Sequence, residues 1–210
     1  MRIGKGTDLR KLALVAIAAG IGLGAWLTVG GLGPRGAVAL AQGESQSTAP
    51  RYDSDGALIR PEHFETWVFV GSSTGLTYEP GIASGGAGEF HDVYIRPESY
   101  REYARTGKFP EKTMLVLAIY PPNENVSPAK GGYFEGDLEG MAVAVKDHSH
   151  FAEGWAYFNF GKTPDLRARA MANPKQTCYS CHVQHAADDN VFVQFYPILR
   201  PIMQAHRTNR

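Results

Sequence analysis

The feature that most constrains this chain is a five-residue motif near its end, Cys178-Tyr179-Ser180-Cys181-His182. Two cysteines with C-x-x-C spacing and a histidine directly after the second form the attachment motif of a c-type haem. On a helix, one turn of backbone lets both sulfurs reach the vinyl groups on one porphyrin edge and places the imidazole under the iron. We therefore predict one covalently bound haem c, with Cys178 and Cys181 as thioether links and His182 as the proximal iron ligand.

Two other chemistries use cysteine pairs with this spacing. A redox-active dithiol has no need of the histidine that follows Cys181. A structural zinc site usually takes four protein ligands, and this chain contains two cysteines in all. The motif therefore favours haem attachment over both.

The N-terminal leader has the pattern of an export signal. Its basic residues are Arg2, Lys5, Arg10 and Lys11. An apolar run follows from Leu12 to about Leu32, and an A-x-A cleavage pattern lies at 39–41. We predict a signal peptide at residues 1–41, which places the mature protein in the periplasm. If the segment is not cut, its apolar run of roughly 20 residues is long enough to remain as a membrane anchor.

The charge of the chain argues against a nucleic-acid partner. The whole chain has 21 basic and 21 acidic residues, and the leader holds five of the basic ones and one acid, which leaves 16 basic and 20 acidic side chains, a net charge of −4. Binding to phosphate backbones needs basic patches, which this composition does not favour. Residues 42–58 are polar and predict a flexible leader, and residues 59–205 have the length of one domain, which would hold the haem.

The body of the chain predicts an α+β fold. Aromatic and β-branched runs bounded by turn residues indicate strands at Glu65–Val70, Glu89–Ile95, Thr113–Tyr120, Gly132–Val145 and Trp155–Phe160. Helices are expected at Pro97–Arg105, Leu166–Ala172 and Asn190–Leu199. Successive strands without alternating helices favour a mainly antiparallel sheet with flanking helices. We expect the haem to lie between this sheet and the C-terminal helices.

A series of short segments matches one known pattern in order and approximate spacing. The segments are Thr66–Gly71, Asp92–Tyr100, Thr106–Pro110, Gly132–Phe134, Val145–Asp147, Trp155–Phe158, the haem motif and Val191–Pro197. Together they cover nearly all of residues 60–200, and in them the chain resembles the cytochrome P-460 family, which includes the cytochromes c′-β. The resemblance implies a largely β fold, a homodimer, and a five-coordinate haem whose proximal ligand is His182.

The resemblance implies one of two chemistries. The P-460 enzymes of this family oxidise hydroxylamine, and they carry a lysine cross-linked to the porphyrin and a carboxylate in the distal pocket. The c′-β members lack the cross-link, have an apolar distal side, and bind nitric oxide and carbon monoxide. In this chain Leu117 stands at the lysine position and Ala142 at the glutamate position, while an arginine-like position of the enzymes falls near His91. Phe134 is a further distal-pocket candidate.

These replacements predict a gas-binding cytochrome rather than an enzyme. Neither Leu117 nor Ala142 can form the cross-link or move a proton, and a positioned base typically contributes about 100- to 10,000-fold to a reaction of this kind. Alternation along Thr113–Tyr120 places Leu115, Leu117 and Ile119 on one face, which we expect to cover the iron. Lys108 and Lys112 lie outside this strand and are expected to be solvated.

Two alternative functions remain open from the sequence. One is a P-460-type enzyme that oxidises hydroxylamine or nitric oxide, with His91 as a donor or iron ligand unless a backbone carbonyl satisfies it. The other is an electron-transfer cytochrome with a periplasmic redox partner and a methionine as sixth ligand. The methionines considered for that role are Met114, Met141, Met171 and Met203. His148 and His150 are expected to be solvated in a polar loop, and His185 follows His182 too closely to reach the opposite side of the iron.

Overall fold

An antiparallel sheet of five strands forms the centre of the fold in a computed structural model that describes residues 49–76 and 87–208. The strands in these ranges are β1 (Leu58–Ile59), β2 (Val68–Thr74), β3 (Phe90–Ile95), β4 (Met114–Tyr120), β5 (Pro122–Asn123), β6 (Phe134–Glu135), β7 (Gly140–Lys146), β8 (Trp155–Lys162) and β9 (Arg169–Ala170). The helices are α1 (Pro97–Thr106), α2 (Tyr179–His185) and α3 (Arg200–Thr208), with short 3-10 helices at Phe64–Thr66 and Val193–Phe195. The sheet order is β2-β3-β4-β7-β8, and β1 pairs with β9 and β5 with β6 in two small sheets.

The predicted α+β class with a mainly antiparallel sheet is confirmed. Each of the five predicted strand regions overlaps one strand of the central sheet, and all neighbours in that sheet run antiparallel. The predicted helix that begins at Pro97 is α1, which ends at Thr106 before Gly107 in the left-handed conformation. A proline in the first turn and a glycine after the last residue are typical helix boundaries.

Successive side chains of each strand point to opposite faces of the central sheet. Both of these faces are apolar. One face carries Met114, Val116 and Val143 into a core that also contains Phe158 and Leu58 of β1. The opposite face, called here the site face, is formed by Val93, Leu115, Leu117, Ala144 and Tyr157. The site face packs against α1, α3 and the segment 191–199.

The first predicted strand is shifted along the chain. The structure begins this region with the 3-10 helix Phe64–Thr66, starts β2 at Val68 and continues it to Thr74, through the glycine and serines that predicted its end. A bulge between Phe69 and Gly71 absorbs the irregularity. Gly71 is required because a Cβ there would lie 2.8 Å from Cδ of Pro197 in the C-terminal segment.

The predicted helix at Leu166–Ala172 is wrong. Residues Arg169–Ala170 form β9, which pairs with β1, and Ala172 bridges to Phe158 of the central sheet. Leucine, arginine and alanine favour a helix locally, but the edge of β1 offers backbone hydrogen bonds and Ala170 is buried against the core. Tertiary pairing therefore overrides local propensity.

The predicted helix at Asn190–Leu199 is also wrong. Only Val193–Phe195 is helical, as a 3-10 turn, and the C-terminal α-helix starts at Arg200. Pro197 disfavours a helical conformation at Tyr196, whose backbone is extended. The side chain of Gln194 adds a further constraint, because it bonds both the Ala187 N–H and the His185 carbonyl.

The N-terminal part of the chain is described from residue 49. The predicted signal peptide at residues 1–41 lies outside the described residues. Within the predicted leader 42–58, Tyr52 bridges to Leu58 and Asp53 pairs with Arg169 at 2.7 Å. In the two described ranges, no helix has the length and apolar character needed to cross a bilayer. These residues all belong to one compact unit of the chain, Gly43–Arg210.

We expect Gly71→Ala to destabilise the fold by about 1–3 kcal/mol, because the new methyl group must displace the rigid ring of Pro197. Urea unfolding measures the loss. Gly131→Ala is the matched control, since a Cβ at Gly131 meets nothing within 4 Å, and its effect should stay within about 0.5 kcal/mol. Equal stability of the two variants would show that the C-terminal segment does not pack closely on β2.

Candidate functional site

The cysteine motif lies at the start of α2. Cys178 precedes the first helical residue, and the His182 N–H donates to the Cys178 carbonyl at 3.1 Å, which closes the first turn. Both thiols are free, with Cys178 half-buried and Cys181 exposed. The Asn173 side-chain amide donates to the Cys178 sulfur at 3.3 Å. The two sulfurs and the imidazole therefore share one turn of helix, as the spacing predicts.

A cavity of about 220 Å³ lies beside this turn, against the central sheet. The motif side contributes Cys178 and His182, together with the aromatic residues Phe192 and Phe195 of the following segment. The wall on the sheet side consists of site-face residues, among them Val93, Leu115, Leu117, Ala142, Ala144 and Tyr157. The cavity is therefore bounded by a thiol and an imidazole, with two aromatic rings, on one side and by mostly apolar side chains on the other.

His182 is held in a defined orientation and tautomer. Its Nδ1 lies 2.8 Å from the carbonyl oxygen of Asn190, and because a carbonyl only accepts, Nδ1 carries the proton. The imidazole packs between the ring of Tyr157 at 4.1 Å and that of Phe192 at 4.4 Å, measured between centroids. Burial lowers the pKa of His182, and this effect exceeds the opposing one of the Asn190 hydrogen bond. The neutral ring leaves Nε2 as the nitrogen available to a metal.

Tyr157 lies beside this imidazole with its hydroxyl protonated. Its hydroxyl donates to the same Asn190 carbonyl at 2.9 Å. Burial is the main factor that raises the pKa of Tyr157 far above its ordinary value. The phenol is therefore a hydrogen-bond donor at neutral pH, not a base.

The cavity wall contains an apolar row across three strands. Leu117 of β4 lies directly opposite Val93 of β3 on one side and Ala142 of β7 on the other. All three residues line the cavity. Leu117 and Ala142 therefore lie next to each other on the surface that faces the haem motif, and neither offers a base, an amine or a carboxylate.

His91 lies at the edge of this wall. It lines the cavity, with about a third of its side chain exposed, and its Nε2 lies 3.7 Å from a Glu89 carboxylate oxygen. Its cross-strand partner is Ile119, two residues beyond Leu117, so its backbone is displaced by roughly 7 Å along the strands from the apolar row. The contact with Glu89 differs from the predicted alternative, a bond to a backbone carbonyl.

The remaining distal-pocket candidate lies elsewhere. Phe134 belongs to β6, pairs with Asn123 of β5 and is exposed. It is absent from the cavity lining as the described residues define it. β5 and β6 pair because the chain folds back between them. The residues around Phe134 do not indicate this pairing.

No methionine lines the cavity within residues 49–76 and 87–208. Met114 and Met141 are buried in the core on the opposite face of the sheet, Met203 packs on the site face from α3, and Met171 is exposed. His185 is exposed at the end of α2. The geometry therefore does not favour a methionine as a sixth ligand.

Lys112 is partly exposed and takes part in a polar network around a buried carboxylate. It forms an ion pair with Asp147, whose side chain is fully buried, and donates to Ser149 at 2.7 Å. His150 lies 2.9 Å from Asp147 and stacks on Tyr52. This network lies at the end of β7 and has no member in the cavity.

Lys108 and His148 were also expected to be solvated. Lys108 is exposed, as expected. His148 is exposed as well, and its Nδ1 contacts the Glu111 carboxylate at 2.7 Å.

The residues around the cavity fit a c-type haem. Cys178 and His182 line the cavity opposite a mostly apolar wall, and Cys181 is exposed one helical turn along α2 from Cys178. Two thiols with this spacing and a neutral imidazole with Nε2 available are the donor set that this group requires. The Asn190 carbonyl is not visible in the sequence, because backbone atoms leave no residue signature. The Asp189-Asn190 pair, which is typical of tight turns, was the available signal.

Comparison with models of protein families gives a match. The family model described as Cytochrome P460 matches residues 61–193, which is more than half of the chain. The matched region contains the strands of the central sheet, the haem motif and the apolar row. Among curated proteins, none matches this chain.

The Asp147 network predicts acid sensitivity. Burial alone would raise the pKa of Asp147, but hydrogen bonds from Lys112 and Ser149 and the nearby His150 lower it to about 2. Because the folded-state pKa is depressed, the stabilisation is present above about pH 4 and is lost as the pH falls towards 2, and it amounts to about 2 kcal/mol.

Asp147→Asn should therefore lower stability at pH 5 and flatten its decrease between pH 5 and pH 3. Urea unfolding at several pH values measures this. Asp137→Asn, at an exposed position before β7, is the control and should keep the wild-type slope. An Asp147→Asn profile parallel to that of the wild type would contradict the assignment.

Proposed function

This chain belongs to the cytochrome P460 family, and from that membership we propose that it is an exported monohaem cytochrome that binds nitric oxide or carbon monoxide. The family implies a c-type haem as the cofactor. Cys178 and Cys181 would hold the haem through thioether bonds, and His182 would bind the iron through Nε2. When bound, the haem supplies an iron with one open coordination position for a diatomic ligand.

The apolar row Val93–Leu117–Ala142 is the observation that carries this proposal. Bound dioxygen is polarised and gains from a hydrogen-bond donor, whereas nitric oxide and carbon monoxide depend on one much less. A row without donors therefore favours the latter two ligands. The same row excludes the lysine cross-link and the distal carboxylate of the P-460 enzymes at these positions.

His91 supports a second candidate, oxidation of hydroxylamine or nitric oxide. Its imidazole lines the cavity beside Glu89, so it is the group of the described wall that can accept a proton. Its displacement from the apolar row, two residues along the strand towards the edge, argues for the gas-binding function. Only the second candidate predicts that replacing His91 changes a rate of hydroxylamine or nitric oxide oxidation.

The location and partners follow from the leader and the family. We propose that residues 1–41 direct export to the periplasm, where thiols are attached to haem outside the cytoplasm. We also propose that the protein is a homodimer, as the resemblance implies. A periplasmic redox partner would set the oxidation state of the haem iron.

The absorption spectrum of the reduced protein tests the function. We expect an ordinary c-type Soret band without the cross-linked haem absorption, and a shift of this band on adding carbon monoxide or nitric oxide. We also expect no oxidation of hydroxylamine, with His91→Leu retaining the gas response. A low-spin spectrum that ignores both gases would overturn the proposal. Hydroxylamine turnover that falls about 100-fold or more in His91→Leu would instead establish the second candidate.

Paired histidine variants test the proximal ligand. His182→Ala should lose the iron–imidazole bond and alter the ferrous spectrum, because His182 lines the cavity and presents a free Nε2. His185→Ala, on the same helix but exposed, should keep the wild-type spectrum. Mass spectrometry of the intact chain checks covalent attachment, and we expect Cys178→Ser with Cys181→Ser to release the haem. If His185→Ala changes the spectrum and His182→Ala does not, the assignment of the ligand is wrong.

A further inference from the structure

The carbonyl that bonds His182 lies in a tight turn. Asp188 and Val191 face each other across this turn, where the Val191 N–H donates to the Asp188 carbonyl at 2.8 Å. The two residues between them, Asp189 and Asn190, both have positive φ angles, 42° and 58°. Positive φ at both central residues is the mark of a type I′ turn and is uncommon for residues other than glycine. Such a conformation persists where surrounding contacts hold it.

The contacts that hold this turn come from the central sheet. One carboxylate oxygen of Asp189 accepts from the Trp155 indole N–H at 3.0 Å, and the other from the Lys146 ammonium at 2.7 Å. Lys146 is largely buried and also donates to the Phe109 carbonyl at 2.9 Å. Asp189 is therefore fixed by donors from two neighbouring strands, β7 and β8.

The Asn190 carbonyl at the tip of this turn accepts two hydrogen bonds. The donors are Nδ1 of His182 at 2.8 Å and the Tyr157 hydroxyl at 2.9 Å. Trp155 and Tyr157 lie two residues apart on one face of β8, so the same strand holds both the turn and its carbonyl. Two donors on one acceptor share its electron density, so each bond is weaker than it would be alone.

We propose that Asp189 and Tyr157 are positioning residues for the proximal imidazole: Asp189 fixes the direction of the Asn190 carbonyl, and Tyr157 limits the strength of its bond to His182. The inference rests on the proposed function, in which His182 binds the haem iron. A hydrogen bond to the second ring nitrogen orients a metal-binding histidine and raises its basicity. Through the Asn190 carbonyl, the central sheet thus sets how strongly His182 donates electron density to the iron.

Two variants act on this carbonyl in opposite directions. Tyr157→Phe keeps the ring beside His182 but removes the competing donor, so the Nδ1–H bond should strengthen. The iron–histidine stretching frequency of the ferrous protein should rise and the reduction potential should fall. In Asp189→Gly, glycine tolerates the positive φ angle, but the hydrogen bonds from Trp155 and Lys146 are lost. The Asn190 carbonyl should therefore lose its fixed direction. The stretching frequency should fall, its band should broaden, and the potential should rise.

Each variant has a matched control. Tyr133→Phe removes a hydroxyl from an exposed residue before β6, and Asn125→Gly replaces another exposed residue with a positive φ, 59°. Neither position touches His182 or Asn190, so both controls should keep the wild-type frequency and potential. Resonance Raman spectroscopy, potentiometry and thermal unfolding are measured on all five haem-loaded proteins. A purely structural role would change the unfolding temperature and leave the Raman band in place.

The outcomes separate the two proposals. Opposite shifts in Tyr157→Phe and Asp189→Gly support the positioning role. Wild-type frequency and potential in both variants overturn it while leaving haem ligation by His182 intact. If Asp189→Gly does not fold, Tyr157→Phe decides alone, because it deletes one hydroxyl and keeps the packing of the ring. If the wild-type protein shows no iron–histidine band, the proposed ligation itself is wrong, and the positioning role is overturned with it.

Discussion

The structure depends on the constraint that a sheet with two apolar faces must bury both of them. Strand alternation sends Met114, Val116 and Val143 to one face and Leu115 and Leu117 to the other. The first set is covered by the chain itself, through β1 and β9. The second set is covered in part by α1 and the C-terminal segment, and the cavity lies against the rest. The site therefore exists because a single sheet serves as a core wall on one side and a ligand wall on the other.

The C-terminal segment connects this wall to the haem motif. Gly71 allows the residues around Pro197 to approach β2, and the turn at Asp189–Asn190 attaches the same part of the chain to β7 and β8. Between these two attachments, Phe192 packs on the imidazole of His182. The helix that carries the motif has seven residues and no buried side chain. Its position is therefore set by contacts from the sheet and the C-terminal segment and owes little to the helix itself.

The chemistry of the site follows from which side chains project into it. A neutral imidazole whose Nδ1 is bonded to a carbonyl is a suitable iron ligand. The facing row of valine, leucine and alanine offers no group that could take part in proton transfer. If His182 binds a haem iron as proposed, the space beside this row would suit ligands that bind through the metal alone. Lys112 and Asp147, two charged residues near the sheet, form an ion pair that stabilises the fold.

The sequence by itself determined the C-x-x-C-H motif and the α+β class, because each depends on residue type and short-range patterns. Leu117 and Ala142 became candidates through the family resemblance. The sequence did not determine the segment 166–172 or the segment 190–199, where helical patterns form a strand and an extended chain with a 3-10 turn. In both segments, backbone pairing with distant residues or a proline prevailed over local preference. Only the tertiary structure decided that Phe134 lies outside the cavity and that the Asn190 carbonyl bonds His182. Such contacts join residues from separate elements, and a backbone carbonyl carries no side-chain signature, so no local pattern could encode them.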